Sequence, residues 1–283
     1  MLSRLIGPGL LLLLAAAACR DGRLPVASEA ASAPALPAQP PPQTTAPWKP
    51  AERLGLTVLA TVPHDPEAYT QGLVWSGGSL YESAGQYGRS SLRQVDPTTG
   101  KVLRAVAVEP RYFAEGLAQV GDRLIQLTWQ EGVALTWRAA TLERTGEIPY
   151  SGEGWGLCSD GARLVMSDGS NRLTFRDPST LATTGGVDVS LDGRPLMQLN
   201  ELECVEGAVW ANVWQTDQIV RIDPATGRVT AVVDAAGLLT PEEAARAEVL
   251  NGIAWKPETK SFLLTGKYWP KMFEVRFEPA AGG

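Results

Sequence analysis

From Leu54 to Pro279 apolar side chains return at every second position over short stretches, and clusters of Gly, Pro, Asp and Thr separate those stretches. SLRQVDPTTGKVLRAV, VALTWRAATLERTGEI, RLTFRDPSTLATTGGV and IVRIDPATGRVTAVV each read as two half-buried strands, because a period of two turns one face to a core and the other to water. Asp-Pro and Thr-Gly between the strands supply the Pro and Gly of a short hairpin loop. A second kind of phrase alternates with these: a polar or aromatic residue, usually a Gly and an aliphatic, a turn, then a short apolar strand. Its copies are YTQGLVWSGGSLYESAG, FAEGLAQVGDRLIQLTW, GEGWGLCSDGARLVMSDG, LNELECVEGAVWANVWQ and LNGIAWKPETKSFLLTGK. Aligning Gly72, Gly116, Gly156, Leu202 and Gly252 gives steps of 44, 40, 46 and 50 residues. Repeats of about 40 to 50 residues built of short strands mark the blades of a β-propeller, which bury their faces only against one another. The pattern therefore predicts an all-β chain, a five-bladed β-propeller with the first strand of each blade lining a central channel. The fifth copy continues into one further strand, MFEVRFEP, and its missing partner is available at the other end of the domain as LTVLATVPHD, starting near Leu56. Closing the ring with a strand from each terminus removes the free edges. TPEEAAR, Thr240 to Arg246, predicts a short helix with Thr240 as N-cap and Pro241 at the first helical position.

Charge and composition narrow the possible partners. A formal net charge of -6 argues against nucleic acid, which calls for a basic patch. Residues 1–19, MLSRLIGPGLLLLLAAAAC, have one Arg near the start, an apolar run and small residues before Cys19. That is the build of an export signal, too short for a comfortable membrane span. The alanines before Cys19 resemble a bacterial lipoprotein cleavage box, which would make Cys19 the lipidated first residue. An ordinary signal peptide cut nearby stays open, since AAAAC lacks the usual Leu three residues ahead of the Cys. The protein is expected to be exported, either free in the periplasm or held on a membrane by a lipid anchor alone. Residues 20–53 are expected to form a tether ahead of a catalytic domain at 54–283. Leu24 to Pro50 contains eight prolines and seven alanines, too little apolar surface to offset the cost of ordering. Cys158 and Cys204 fall at nearby points of the third and fourth copies, and a disulfide or two buried thiols both fit that spacing.

The residue before each aligned position should face the channel near one mouth. Gln71, Glu115, Trp155, Glu201 and Asn251 occupy those places, a polar ring inside an apolar scaffold, as in a ligand pocket. His64 is the only histidine, so neither a Ser-His-Asp relay nor a multi-histidine zinc site can be assembled. No phosphate-binding loop or dinucleotide fingerprint is present. Carboxylate, lysine and carboxamide chemistry remains, which is acid-base work on a neutral or cationic substrate. Of nine tryptophans, Trp129, Trp155 and Trp214 are expected near the mouth occupied by Glu115. There they can exclude water and grip apolar stems. Trp75, Trp210 and Trp255 fit blade-to-blade packing.

YTQGL, FAEGL, LTW, EGWGL, LNELE, VWANVWQTDQIVRIDPATG, LNGIAW and TGKYWPKMFEV together resemble the plant and bacterial glutaminyl-peptide cyclotransferases, the five-bladed propeller glutaminyl cyclases. The resemblance runs from about Tyr69 to Val275 and is most specific in NELE followed by ANVWQTD, together with TGKYWP. It implies conversion of an N-terminal glutaminyl residue to 5-oxoproline with loss of ammonia. By the same resemblance Glu115 is the central acid-base group; Glu201, the other carboxylate of the ring, is the second candidate for the proton shuttle. Gln71, Asn200 and Lys267 resemble the family's polar substrate contacts, and Trp129, Trp155 and Trp214 its aromatic walls; the reaction also needs a donor to the developing oxyanion, which Lys267 or the carboxamides can supply. Asn251 joins the substrate-binding set from its place in the ring. Tyr69 stands where the family more often has Phe. The resemblance implies no required cofactor, a structural cation in the channel at most, and as partners peptides or proteins with N-terminal Gln, or free glutamine; a monomer is expected. Two other readings stay open. One is a metal-dependent propeller hydrolase such as a lactonase, with Glu115, Glu201, Asn200 and Asn251 around a calcium-like cation. The other is a non-catalytic envelope propeller that binds partners at the channel mouth.

Overall fold

The computed structural model describes residues 49–280. The leader, Cys19 and the expected tether as far as residue 48 lie outside the described residues. Strand β1 (Glu52–Pro63) comes first, and the strands after it group into antiparallel units. The first unit is β2 (Thr70–Ser76), β3 (Ser79–Ala84), β4 (Ser91–Val95) and β5 (Val102–Ala107). The second is β6 (Ala114–Val120), β7 (Arg123–Thr128), β8 (Val133–Arg138) and β9 (Glu143–Pro149). The third is β10 (Leu157–Ser159), β11 (Leu164–Met166), β12 (Arg172–Arg176) and β13 (Thr183–Asp188), followed by a small hairpin, β14 (Ser190–Leu191) and β15 (Arg194–Pro195), that the sequence pattern did not signal. The fourth unit is β16 (Leu199–Val205), β17 (Ala208–Val213), β18 (Gln218–Ile222) and β19 (Val229–Asp234). After helix α1 (Pro241–Ala244) come β20 (Leu250–Lys256), β21 (Ser261–Gly266) and β22 (Lys271–Pro279), and β1 completes this last unit.

The inner strands close a ring, with β2 beside β6, β6 beside β10, β10 beside β16, β16 beside β20 and β20 beside β2. Five apolar clusters fill the seams between neighbouring units. Leu92 meets Leu117 and Trp137, Leu127 meets Leu157 and Met166, Phe175 meets Leu202 and Val220, Trp210 meets Ile253 and Phe262, and Leu263 meets Leu73 and Leu80. No unit has a core of its own, which is why one copy of the repeat cannot fold alone. The repeated glycines follow from the same crowding. A Cβ on Gly72 would stand 2.6 Å from the Leu117 nitrogen, and one on Gly116 would stand 2.6 Å from the Trp155 oxygen. At the fourth copy the glycine's place in the ladder is taken by Glu201, and Leu202, the counterpart of Leu117, is fully buried in the seam.

Closure differs from the expectation in one respect. The strand expected to start near Leu56 starts at Glu52, and the buried Ala51 donates its N–H to Asp192 Oδ1 at 3.3 Å. The physical reason is a double pairing: Leu54 to Pro63 run antiparallel to Pro279 to Lys271, while Glu52 to Leu54 run parallel to Ala231 to Val233 of β19. The terminal strand thus fuses two units into one eight-stranded sheet. Cys158 and Cys204, left undecided by spacing, are joined in a disulfide across the β10–β16 seam with Cα atoms 5.5 Å apart. Helix α1 carries the expected cap: the Thr240 hydroxyl accepts from Glu243 N–H and the Glu243 carboxylate returns to Thr240 N–H, a capping box.

Candidate active site

Inner-strand register shifts create the site. In β2 the pairing skips between Thr70 and Gly72, in β6 between Ala114 and Leu117, in β16 between Leu199 and Leu202, and in β20 between Leu250 and Ile253. Each break frees a polar residue from the ladder: Gln71, Glu115, Asn200 with Glu201, and Asn251. Bulges re-aim side chains in this way. In the third unit the ladder starts only at Leu157, so Trp155 and Gly156 stand before it, and Gly156 N–H is held by Ser167 Oγ at 2.8 Å. A second row comes from the residues that follow the second strands. Thr128, Val213 and Gly266 pair with Ala114, Leu199 and Leu250, and the next residues are Trp129, Trp214 and Lys267. The two rows meet at one mouth around a cavity of about 260 Å³, lined by Tyr69, Gln71, Gln86, Phe113, Glu115, Trp129, Trp155, Asn200, Trp214 and Lys267.

Glu115 is the one carboxyl among those lining residues, and it is 5% exposed. Its Oε1 accepts from Gln71 Nε2 at 2.8 Å, and Asn251 Nδ2 steadies Gln71 by donating to its Oε1 at 3.2 Å and to the Thr70 carbonyl at 2.9 Å. Burial pushes the Glu115 carboxyl well above the ordinary carboxylate range; the Lys267 charge opposes that rise, and Glu131 and Glu153 add to it. Lys267 is pushed the other way: burial lowers its pKa, against the pull of Glu115 and Glu248. Its Nζ lies 4.5 Å from the centre of the Tyr69 ring. The indole N–H groups of Trp129 and Trp155 both donate to Glu153 Oε2, at 2.8 and 3.2 Å, so one carboxylate sets two walls. Trp155 meets Trp214 edge-on at 5.5 Å, and Phe113 meets Trp129, Tyr69 and Tyr87 in the same manner. Burial raises the Tyr69 hydroxyl, with Glu248 and Glu115 adding to the effect, so Tyr69 stays neutral.

Of the residues singled out from the sequence, Gln71, Glu115, Trp129, Trp155, Asn200, Trp214 and Lys267 come together around the cavity. Asn251 stands behind Gln71. Glu201 is elsewhere: fully buried, it reaches across the ring, with Oε1 accepting Leu73 N–H at 3.2 Å and Oε2 accepting Ile253 N–H at 2.8 Å. Aligning the fourth copy on Leu202 put Glu201 in register with Glu115, but in the ladder Leu202 is the counterpart of Leu117, so Asn200 shares the register of Glu115 and takes the cavity position while Glu201 stands where the second copy has Gly116. Phe113, Gln86 and Glu153 were not picked out. Phe113 had a signal, standing two residues before Glu115 as Tyr69 stands before Gln71; Gln86, held at φ 113°, had none. Trp75, Trp210 and Trp255 pack against the seams as expected. Among the described residues no group of three or more His, Cys, Asp or Glu side chains is arranged to hold a metal ion. The buried oxygens left without partner in the channel are Asn200 Oδ1 and Asn251 Oδ1. Two neutral amide oxygens fall short of the roughly six to eight oxygens that calcium takes, so these two side chains by themselves do not make a divalent-cation site.

Comparison with known proteins places this geometry. A family model described as glutamine cyclotransferase matches residues 28–277. The glutaminyl-peptide cyclotransferase of Arabidopsis thaliana is 39% identical over 231 residues, covering 80% of this chain and 72% of that protein. The crystal structure of Myxococcus xanthus glutaminyl cyclase superposes with a TM-score of 0.73 at 42% identity, over 81% of this chain and 98% of that one. With the match extending across the ring and every residue of the cavity, the chain belongs to the glutamine cyclotransferase family.

Proposed function

We propose that this chain is a glutaminyl-peptide cyclotransferase that closes an N-terminal glutaminyl residue into 5-oxoproline, and that Glu115 carries the proton. The observation that carries the reading is a single buried carboxyl lining an aromatic-walled cavity, fixed by Gln71 and facing the charge of Lys267. At about 260 Å³ the cavity is smaller than the roughly 300–1,000 Å³ of drug-sized ligand sites, which suits one residue with the rest of the peptide outside. The reaction is intramolecular, so the walls contribute by selecting the curled conformer in which the α-amine meets its own side-chain carbonyl carbon. As the new C–N bond forms, Glu115 takes a proton from the amine; as the old C–N bond breaks, it gives a proton to the departing nitrogen, which leaves as ammonia. A carboxyl whose proton affinity has been raised toward the working pH suits both halves of that exchange. Lys267 and the Asn200 amide are the donors available to the oxyanion between them, each worth about 3 kcal/mol where well placed. Asn200 Oδ1, buried without partner, is free to accept an N–H of the substrate.

The reading extends to the rest of the chain. The leader ending at Cys19 supports an exported enzyme, periplasmic or lipid-anchored to an envelope membrane, acting as a monomer on peptides or proteins with N-terminal Gln, or on free glutamine. The test is mass spectrometry of a Gln-initiated peptide after incubation with purified protein, with and without a strong chelator. Loss of one ammonia in both samples is expected. Loss only without chelator would show a metal-dependent cyclisation and overturn the proton shuttle by Glu115, and no loss in either would leave the hydrolase and binding readings.

A further inference from the structure

His64, the sole histidine, sits behind the cavity wall at 6% exposure and is not part of the chemistry described above. Its Nε2 lies 2.9 Å from Glu82 Oε1 and its Nδ1 lies 2.7 Å from the Trp269 carbonyl oxygen. Both of those partners are acceptors. Only a doubly protonated imidazole can donate to both, so the geometry calls for a buried imidazolium. The charged groups around it agree. Glu82 faces it from β3, Asp65 from its own segment, and Arg93 on β4 bridges Asp65 at 2.8 Å and stands 3.9 Å from Glu82 Oε2. Burial by itself would lower the imidazole pKa, but Glu82, the Trp269 carbonyl and Asp65 outweigh it and the net direction is upward.

The two partners of His64 lead to two adjoining units of the site. Glu82 Oε1 also accepts the Thr70 hydroxyl at 2.7 Å; Thr70 precedes Gln71, and its carbonyl holds the Asn251 amide that supports Gln71. Trp269 ends the turn Lys267-Tyr268-Trp269, in which Tyr268 is held at φ 60°. A residue other than glycine in that region persists only where its surroundings hold it. Here Tyr268 N–H donates to the Ala68 carbonyl at 2.7 Å and His64 N–H donates to the Pro270 carbonyl at 2.8 Å. We propose that the His64 imidazolium, with Glu82, is a positioning residue for the cyclisation, clamping the turn that carries Lys267 to the strand that carries Gln71 and thereby setting Lys267 against Glu115. The assignment of a positioning role rests on the cyclotransferase reading; the clamp itself is tested without it.

With any affinity tag removed, the protein gives a single histidine signal by nitrogen-detected NMR. Both ring nitrogens should be protonated at neutral pH, and Lys267→Met should shift the signal. A singly protonated ring, or a signal indifferent to Lys267→Met, overturns the clamp whatever the activity. For the positioning role, His64→Gln should lower kcat on a Gln-initiated peptide on the order of tenfold to a hundredfold, the scale of a misplaced catalytic group, with KM changed far less. Val220→Ala, a seam substitution away from the site, serves as the control for stability loss. Wild-type kcat in a folded His64→Gln protein, or a loss no larger than that of Val220→Ala, overturns the role. If His64→Gln does not fold, Glu82→Gln takes its place: loss of kcat with one ring nitrogen deprotonated supports the proposal, and unchanged kcat overturns it.

Discussion

Replacing Glu115 by Gln separates catalysis from stability at one atom. The carboxamide keeps the oxygen that accepts from Gln71 Nε2 and keeps the volume, but it cannot take up a proton. Turnover should fall about a hundredfold or more, the usual scale for losing a positioned acid-base group. Stability should move the other way. Burial, reinforced by Glu131 and Glu153 and opposed by Lys267, raises the folded-state pKa of Glu115 above the ordinary 4.5. The folded chain therefore binds more protons than the unfolded chain between those two values, and the stability present below the unfolded value is lost as pH climbs through the folded one. Each factor of ten in proton affinity is worth about 1.4 kcal/mol. Glu115→Gln has no such loss, so its melting temperature should match the wild type near about pH 4 and exceed it near about pH 8. Thermal melts at the two pH values and ammonia release at saturating substrate read both effects. Turnover within about threefold of wild type would remove Glu115 from the proton path, and a wild type that gained on the variant with rising pH would show that the pocket stabilises the carboxylate.

The remaining expectations are shorter. The pH–rate profile should have its acid limb above 4.5, where Glu115 loses its proton late, and its alkaline limb below 10.5, where Lys267 loses its proton early; limbs at the ordinary values would refute both assignments. Trp155→Ala removes a wall and its edge contact with Trp214, so KM should rise by about fivefold, the equivalent of about 1 kcal/mol, with kcat changed less; steady-state kinetics decide. Reducing the Cys158–Cys204 bond opens a loop of sequence separation 46 and should cost about 2–4 kcal/mol; an unchanged melting curve in reductant would show that the seam needs no staple. A chain starting at Lys49 should melt as one cooperative unit, whereas one starting at Pro66 lacks β1 and exposes the edges of β19 and β22; cooperative melting of the shorter chain would refute the closure argument.

The hydrophobic pattern by itself determined the architecture. Alternation at period two, restated at blade-sized steps, leaves units that can bury their faces only on one another, so a ring follows, and the unfinished fifth copy calls for a strand from the other terminus. Local chemistry was equally legible at Thr240, whose cap depends on residues three apart. What sequence could not decide is where a side chain goes once the ladder breaks. Reading the copies in line put Glu201 level with Glu115, yet in the ladder Asn200 is the counterpart of Glu115 and Glu201 of Gly116, so Glu201 turns across the ring to the Leu73 and Ile253 amides and the cavity goes to Asn200. The joining of Cys158 to Cys204 likewise required the seam to bring two inner strands to 5.5 Å. His64 is a single letter in a loop until its two nitrogens meet a carboxylate from one unit and a carbonyl from another. Repeats and caps are local or periodic, and a sequence records them directly; the direction of a bulged side chain and the partner of a buried charge depend on groups brought near by the closing of the ring, and only the tertiary structure decides them.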